Sequence, residues 1–423
     1  MKKVYVSLAL VGAMAASASA VEVTPFGHLG AFYHQGFGGL GVQNNGKEVQ
    51  RAYANVSARV GVEVGLGSAF SIGLGAWGGY PFYATGDSPQ NVGDIAFPRN
   101  VDVSDAYLRY DGRRLRVIGG RFDIGEFYMG KDRKNYTGVD WIYGNTQGAA
   151  LNVDGGAVSL WAYWRNSQLG AGQAFNRIGY ELSSFDTYQG QKNHQGELVS
   201  GGVDVNFGAF RISPFASYLT STDTRANSGG IDVLNAGAKA QLELGDGGLK
   251  SITTLRGIFS TTNLVKDGSG NSGTTFWLDE ELRFSEIWKL GAGYITSSKD
   301  TFLLNYGDRA RFYGYRAGLL CGAGVGNSLG INNNASTWYV FGGLEAKRIA
   351  LDLLYAGGNY KEISAIVAFK LWESGQMHFS VGGGYVGTGY GSNDDTTLGS
   401  ALTGITDGTK WQDSAYVFAK LGF

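Results

Sequence analysis

The chain has one cysteine among 423 residues, with only five prolines and four histidines. The lone thiol, Cys321, has no intramolecular partner, so no disulfide framework holds the fold. It sits in Cys321-Gly322-Ala323-Gly324 and reads as an incidental loop thiol. His28, His34, His194 and His378 are scattered without metal-ligand spacing, so no metal and no cofactor is expected. A hydrolase needs a His-Ser pair oriented by a third polar group, and none gathers around His28 or His194. The chain therefore does not read as an enzyme. Beyond the first residues, Gly, Ser, Asn or a charge interrupts every apolar stretch, which excludes transmembrane helices. Scarce proline also separates the chain from disordered low-complexity segments, which are rich in both proline and glycine. Strong charge of either sign is missing too. Taking Lys2 and Lys3 from the 35 basic residues leaves 33 against 36 acidic ones, a net of −3. No nucleic-acid partner follows from that balance.

What is present begins with Met1-Lys2-Lys3, an apolar run from Val4 to Ala16, and small residues at Ala18-Ser19-Ala20. This is the pattern of a secretory signal peptide over residues 1–20, with Val21 as the expected first mature residue. The run is shorter than the roughly 20 apolar residues that cross a bilayer. The remainder, 21–423, reads as one domain. It combines 69 Gly with 24 Tyr, 23 Phe and 9 Trp. Glycine suits strands that curve and pack closely, and aromatics suit the girdles of a membrane barrel.

A period of two runs along the whole mature chain. Ala52, Ala54, Val56, Ala58, Val60, Val62 and Val64 alternate with Arg51, Tyr53, Asn55, Ser57, Arg59, Gly61 and Glu63. Phe276, Leu278, Leu282 and Phe284 alternate with Trp277, Asp279, Glu281 and Arg283. Glu280 alone breaks that apolar face. Connections alternate as well. Short turns, such as Asp111-Gly112 and Asp154-Gly155, take turns with long polar connections, and Asp-Gly between alternating runs is a strong hairpin signal. The last residues, Gln412 to Phe423, form an alternating strand with a terminal aromatic. Together these features predict an all-β, antiparallel transmembrane β-barrel of about 18 strands, with 16 the alternative, with short periplasmic turns and long extracellular loops. A hairpin around Phe312 to Gly318 would alter the count by two. Soluble sandwiches and propellers share the short strands but do not require the signal peptide, the terminal strand and the alternating loop lengths together. The expected location is the outer membrane of a Gram-negative cell.

A barrel this wide leaves an aqueous channel unless something fills it. The third long connection, within 122–145, is the candidate constriction loop. It carries Asp123, Glu126, Lys131, Asp132, Arg133 and Lys134. By parity Arg109, Arg114, Arg116 and Arg59 face the lumen beside it. Arg165, Arg211, Lys239, Arg256, Asp279, Glu281 and Arg283 line the wall by the same rule. Opposed charges across a constriction make a transverse field, and arginine forks pair with carboxylates and phosphates. The expected function is passive diffusion of small hydrophilic solutes with a mild preference for anions. The alternative is an adhesin that binds through its long loops. Expected partners are the solutes, outer-membrane lipid and lipopolysaccharide, and the barrel-assembly machinery through the Phe423 strand. The barrel would be a monomer or a homotrimer, with the small-residue face Ala52 to Ala58 as a seat for a neighbour.

Asp102 to Tyr110, then Leu115-Arg116-Val117-Ile118-Gly119-Gly120-Arg121, then a loop ending before Gln147-Gly148-Ala149, resembles the same region of OprD-type substrate-specific porins. The Gly-rich, aromatic-rich style is also similar to the Helicobacter-type outer membrane protein family. The OprD-type resemblance implies an arginine ladder for small carboxylates. Its candidates are Arg109, Arg114, Arg116 and Arg121, the last lying out of step with Arg114 and Arg116.

Overall fold

The computed structural model describes residues 22–38, 42–44, 47–49, 52–84, 100–129, 145–168, 196–221, 231–264, 270–299, 301, 315–316, 319–320, 335–390 and 412–423. The expected signal peptide lies outside them. Eighteen strands form one sheet. In chain order they are β1 (Val23–Gly38), β2 (Ala52–Gly67), β3 (Phe70–Ala84), β4 (Asn100–Asp111), β5 (Leu115–Asp123) and β6 (Asn145–Asp154). Next come β7 (Val158–Gln168), β8 (Gly196–Asn206), β9 (Phe210–Ser221), β10 (Ile231–Gly245), β11 (Leu249–Leu264) and β12 (Gly270–Phe284). The last six are β13 (Trp288–Ser297), β14 (Ala335–Glu345), β15 (Ile349–Gly358), β16 (Tyr360–Ser374), β17 (Met377–Tyr390) and β18 (Gln412–Gly422). Each strand pairs antiparallel with its neighbours in sequence, and β18 pairs with β1 to close the cylinder. The amide N of Gly27 donates to the carbonyl O of Phe423 at 2.8 Å, and the amide N of Phe423 donates back at 3.1 Å. The terminal strand is thus held on both edges. Among the described residues of 298–334, Tyr315–Arg316 pairs with Leu319–Leu320 outside the barrel sheet. The described strands close the barrel at 18.

The outside is apolar and the inside polar because successive residues point to opposite faces. On β2, Val56 and Val60 are exposed while Ser57 and Arg59 are buried on the inner side. On β12, Phe276 and Leu278 are exposed while Asp279 and Glu281 are buried inside. A slip of one residue would turn these charges toward lipid, at about 2–4 kcal/mol for an Arg or Lys at the bilayer midplane. Trp288, Phe284 and Phe207 mark an aromatic girdle at the short-turn rim. No helix among the described residues is long and apolar enough to cross a membrane. The chain is a transmembrane β-barrel, which crosses with its strands.

Inward-facing glycines let side chains from one strand lie across the next. A Cβ on Gly73 of β3 would stand 2.1 Å from the Tyr107 ring, and one on Gly75 would stand 2.8 Å from the Asp105 carboxylate. Tyr107 and Asp105 therefore reach from β4 across β3 to β2. Gly291 and Gly293 of β13 serve Phe341 and Tyr339 of β14 in the same way. Gly382 and Gly384 of β17 serve Phe418 and Tyr416 of β18. These lanes account for much of the pairing of high glycine with high aromatic content.

Candidate pore lumen and constriction

The third long connection begins inside the barrel. After β5 the chain forms a short helix, α1 (Ile124–Met129). Its Phe127, with Phe122, packs against the inner-wall residues Ile118, Ala150 and Tyr163. Tyr128 stacks edge-on to Trp161 of β7, with ring centroids 6.1 Å apart. Its hydroxyl donates to the Ala162 carbonyl at 2.5 Å. Burial and the cost of breaking that bond raise the energy of displacing the helix. The start of this connection therefore lies folded against the inner wall. Residues 130–144, with Lys131, Asp132, Arg133 and Lys134, and the side chain of Glu126 lie outside the described residues.

The two ends of this connection meet at Arg59. Its Nε and Nη2 donate to the two carboxylate oxygens of Asp105 at 2.9 and 2.6 Å. Its Nη1 lies 3.9 Å from Asp123, the last residue before α1. Asn145, where the connection re-enters the wall, donates to the Ser104 carbonyl at 3.0 Å and to Asp105 at 3.4 Å. The Ser104 hydroxyl donates to Asp105 at 2.7 Å. Ser104 is the extra residue of a bulge in β4 that leaves both Ser104 and Asp105 fully buried. Arg59 lies on the inner side of β2. The structure adds that it is enclosed in the wall, where it ties the loop base to β2 and β4 instead of facing the solute path.

The ladder suggested by resemblance separates into three environments. Arg109 faces the lumen, pairs with Asp111, and lies 3.7 Å from Glu63. Tyr107 donates to the same Glu63 at 2.6 Å. Arg116 also faces the lumen, with its guanidinium carbon 5.3 Å from the centre of the Phe127 ring. Arg114, by contrast, is exposed in the short turn between β4 and β5, where its carbonyl accepts from the Asp154 amide at 2.7 Å. Arg121 lies on the outer face. It shares a side of β5 with the exposed Leu115 and Val117, and it donates to Gln147 at 3.0 Å and to the Val103 carbonyl at 3.3 Å. Strict alternation through β5 excludes it from the lumen.

The opposite wall carries a mixed-charge arc. Lys250 and Glu243 pair at 2.6 Å. Arg283 pairs with Glu281 and lies 3.5 Å from Glu345. Lys289 pairs with Glu345 at 2.8 Å and with Asp352. Buried Asp279 accepts from the Tyr339 hydroxyl at 2.5 Å, and that hydroxyl accepts from the Trp277 indole at 2.6 Å. Trp277 in turn lies under Arg256, at 4.4 Å from ring centre to guanidinium carbon. Lys239 is the register partner of Arg256, so two cations stand side by side at mid-depth. Arg165 lies over Tyr163 at 5.8 Å. Arg211 faces inward close to the short-turn rim. Glu345 and Lys289 were missed as wall charges, although parity on their strands would have found them; Glu63 stood on the same face of β2 as Arg59. The result is a lumen of alternating sign, less basic than the arginines alone suggested.

No family model and no curated protein matches the chain by sequence. Solved structures do. OccAB1 of Acinetobacter baumannii superposes with a TM-score of 0.61 at 8% identity, over 95% of this chain and 97% of that one. OpdK of Pseudomonas aeruginosa with vanillate gives 0.62 at 10% identity, over 95% and 98%. OccD3 (OpdP) of P. aeruginosa gives 0.57 at 10%, over 96% and 94%. The fold is that of the Occ outer-membrane porins. At this identity the likeness is one of architecture. It agrees with the OprD-type resemblance, while the Helicobacter-type likeness stays one of composition.

Proposed function

We propose that the chain is an outer-membrane porin for passive diffusion of small hydrophilic solutes, with a mild preference for anions and carboxylates. One observation supports this reading: the barrel is closed and charge-lined, and α1 docks on its inner wall beside Arg116. A lumen of this width conducts unless blocked, and an inner loop narrows it without covalent chemistry or energy input. Support for anions comes from Arg116, which stacks on Phe127 with no carboxylate partner among the described residues, and from the adjacent Lys239 and Arg256. OpdK, a structural neighbour, was solved with vanillate, an aromatic carboxylate. Lipopolysaccharide around the barrel, assembly through the Phe423 strand, and a monomeric or trimeric state belong to the same reading. Liposome swelling with solutes of matched size tests it. Carboxylates are expected to enter faster than neutral sugars, and those faster than amines. Equal rates would remove the charge selection; no swelling with any solute would remove the pore.

A further inference from the structure

The barrel closes where β17, β18 and β1 lie side by side, and two of the chain's four histidines stand there. His28 of β1 and His378 of β17 are both register partners of Gly422 on β18, so the three form one row on the inner face. Positions two strands apart are separated by about 9–10 Å, and the absence of a side chain at Gly422 lets the histidines use that gap. A Cβ on Gly422 would stand 2.3 Å from Cε1 and 2.6 Å from Nε2 of His378. The His378 imidazole therefore lies across β18, towards β1. In the next inward row, Lys370 of β16 and Lys420 of β18 are both register partners of Ser380 on β17. Lys370 pairs with Glu373 at 3.1 Å, and Glu373 is the register partner of His378 on β16. On the other side of His28 stands Arg59 of β2, which holds Asp105. His378 is partly exposed near the short-turn mouth, whereas His28 is buried.

We propose that His378 is a proton-operated selectivity residue, adding a positive charge to the Lys370–Lys420 wall at the short-turn mouth as the pH falls below neutrality. What that charge does to solutes rests on the porin reading; that it forms does not. Histidine is the side chain whose ordinary titration falls between about pH 5 and 8. The charged or titratable groups facing His378 are Lys420 on β18, His28 on β1, and Lys370 and Glu373 on β16. β17 itself has no other charged side chain, and the Gln376 carbonyl in the adjoining turn accepts from the imidazole. Two lysines against one glutamate leave this patch positive already, and Glu373 is engaged by Lys370. A proton on His378 therefore adds to the existing sign instead of cancelling an opposite one. One unit charge roughly 10 Å from the solute path changes the local concentration of a monovalent ion about twofold in dilute salt.

The test compares reversal potentials of the full-length barrel in a dilute potassium chloride gradient at about pH 7.5 and about pH 5. Wild type should raise its anion-to-cation permeability ratio about twofold on acidification. His378→Gln should lose that gain, while the His34→Gln/His194→Gln pair should keep it. Imidazole proton resonances in micelles read the charge without any current. The resonance missing from His378→Gln should titrate within this range in wild type, and Lys420→Gln should move its midpoint. A conducting wild type with an unchanged ratio, or an equal gain in His378→Gln, overturns the proposal and leaves the porin reading standing. So does a His378 resonance that does not titrate in this range or that ignores Lys420→Gln. A silent bilayer beside a titrating His378 instead removes the porin reading, and the selectivity role with it.

Discussion

Replacing Arg59 by Ala takes the bidentate cation from buried Asp105 and removes a cation 3.9 Å from Asp123. Asp105 is fully buried and Asp123 nearly so. Arg59 supplies Asp105 with two short donor contacts and lies 3.9 Å from Asp123. Removing one member of a buried ion pair typically costs about 3–5 kcal/mol, because the remaining charge stays desolvated without compensation. Ser104 and Asn145 still donate to Asp105, which puts the expectation at the lower end, about 3 kcal/mol. Urea unfolding of the barrel in micelles, followed by tryptophan fluorescence, measures this loss. Arg59→Ala combined with Asp105→Ala should recover part of it, since the second substitution removes a stranded charge. The same variant releases the base of the third connection, so single-channel traces should become noisier. A loss below about 1 kcal/mol, the range of an exposed pair, with an unchanged open-channel current would refute the clamp.

Tyr128→Phe removes one hydrogen bond holding α1 to the wall. It should weaken that docking by about 1 kcal/mol and raise open-channel noise without unfolding the barrel. Arg116→Ala should lower the anion-to-cation permeability ratio measured by reversal potential. Arg121→Ala should leave it unchanged, because that side chain is outside. Gly73→Ala sets a methyl group against the Tyr107 ring and should cost about 1–3 kcal/mol in urea unfolding; adding Tyr107→Ala should return part of it.

Much of this architecture was legible because a barrel repeats one rule. Val56 and Val60 against Ser57 and Arg59 reveal both faces of β2, and the same alternation places Asp279, Glu281 and Arg256 inside. Short turns alternating with long connections supplied the strand count. Strand ends were less legible. Asp111-Gly112 marks a turn, but the three-residue turn reaches through Arg114, so that arginine leaves the lumen wall. Alternation already set Arg121 out of step, and only the likeness to other porins drew it into the ladder. Enclosure of Arg59 depends on Asp105 and Asp123, which come from distant strands, and no local pattern announces such a meeting. α1 is too short for helical periodicity to register. Glu280 stood out in the sequence as a break in an apolar face, yet its hydroxyl partners, Ser251 and Thr253, lie on the preceding strand and required the register of β11 with β12.

Recording from purified protein in a planar bilayer under a potassium chloride gradient tests the central claim most directly. The account predicts discrete current steps whose reversal potential is displaced modestly toward that of chloride. A silent bilayer from correctly folded protein, or a reversal potential displaced toward potassium, would contradict it.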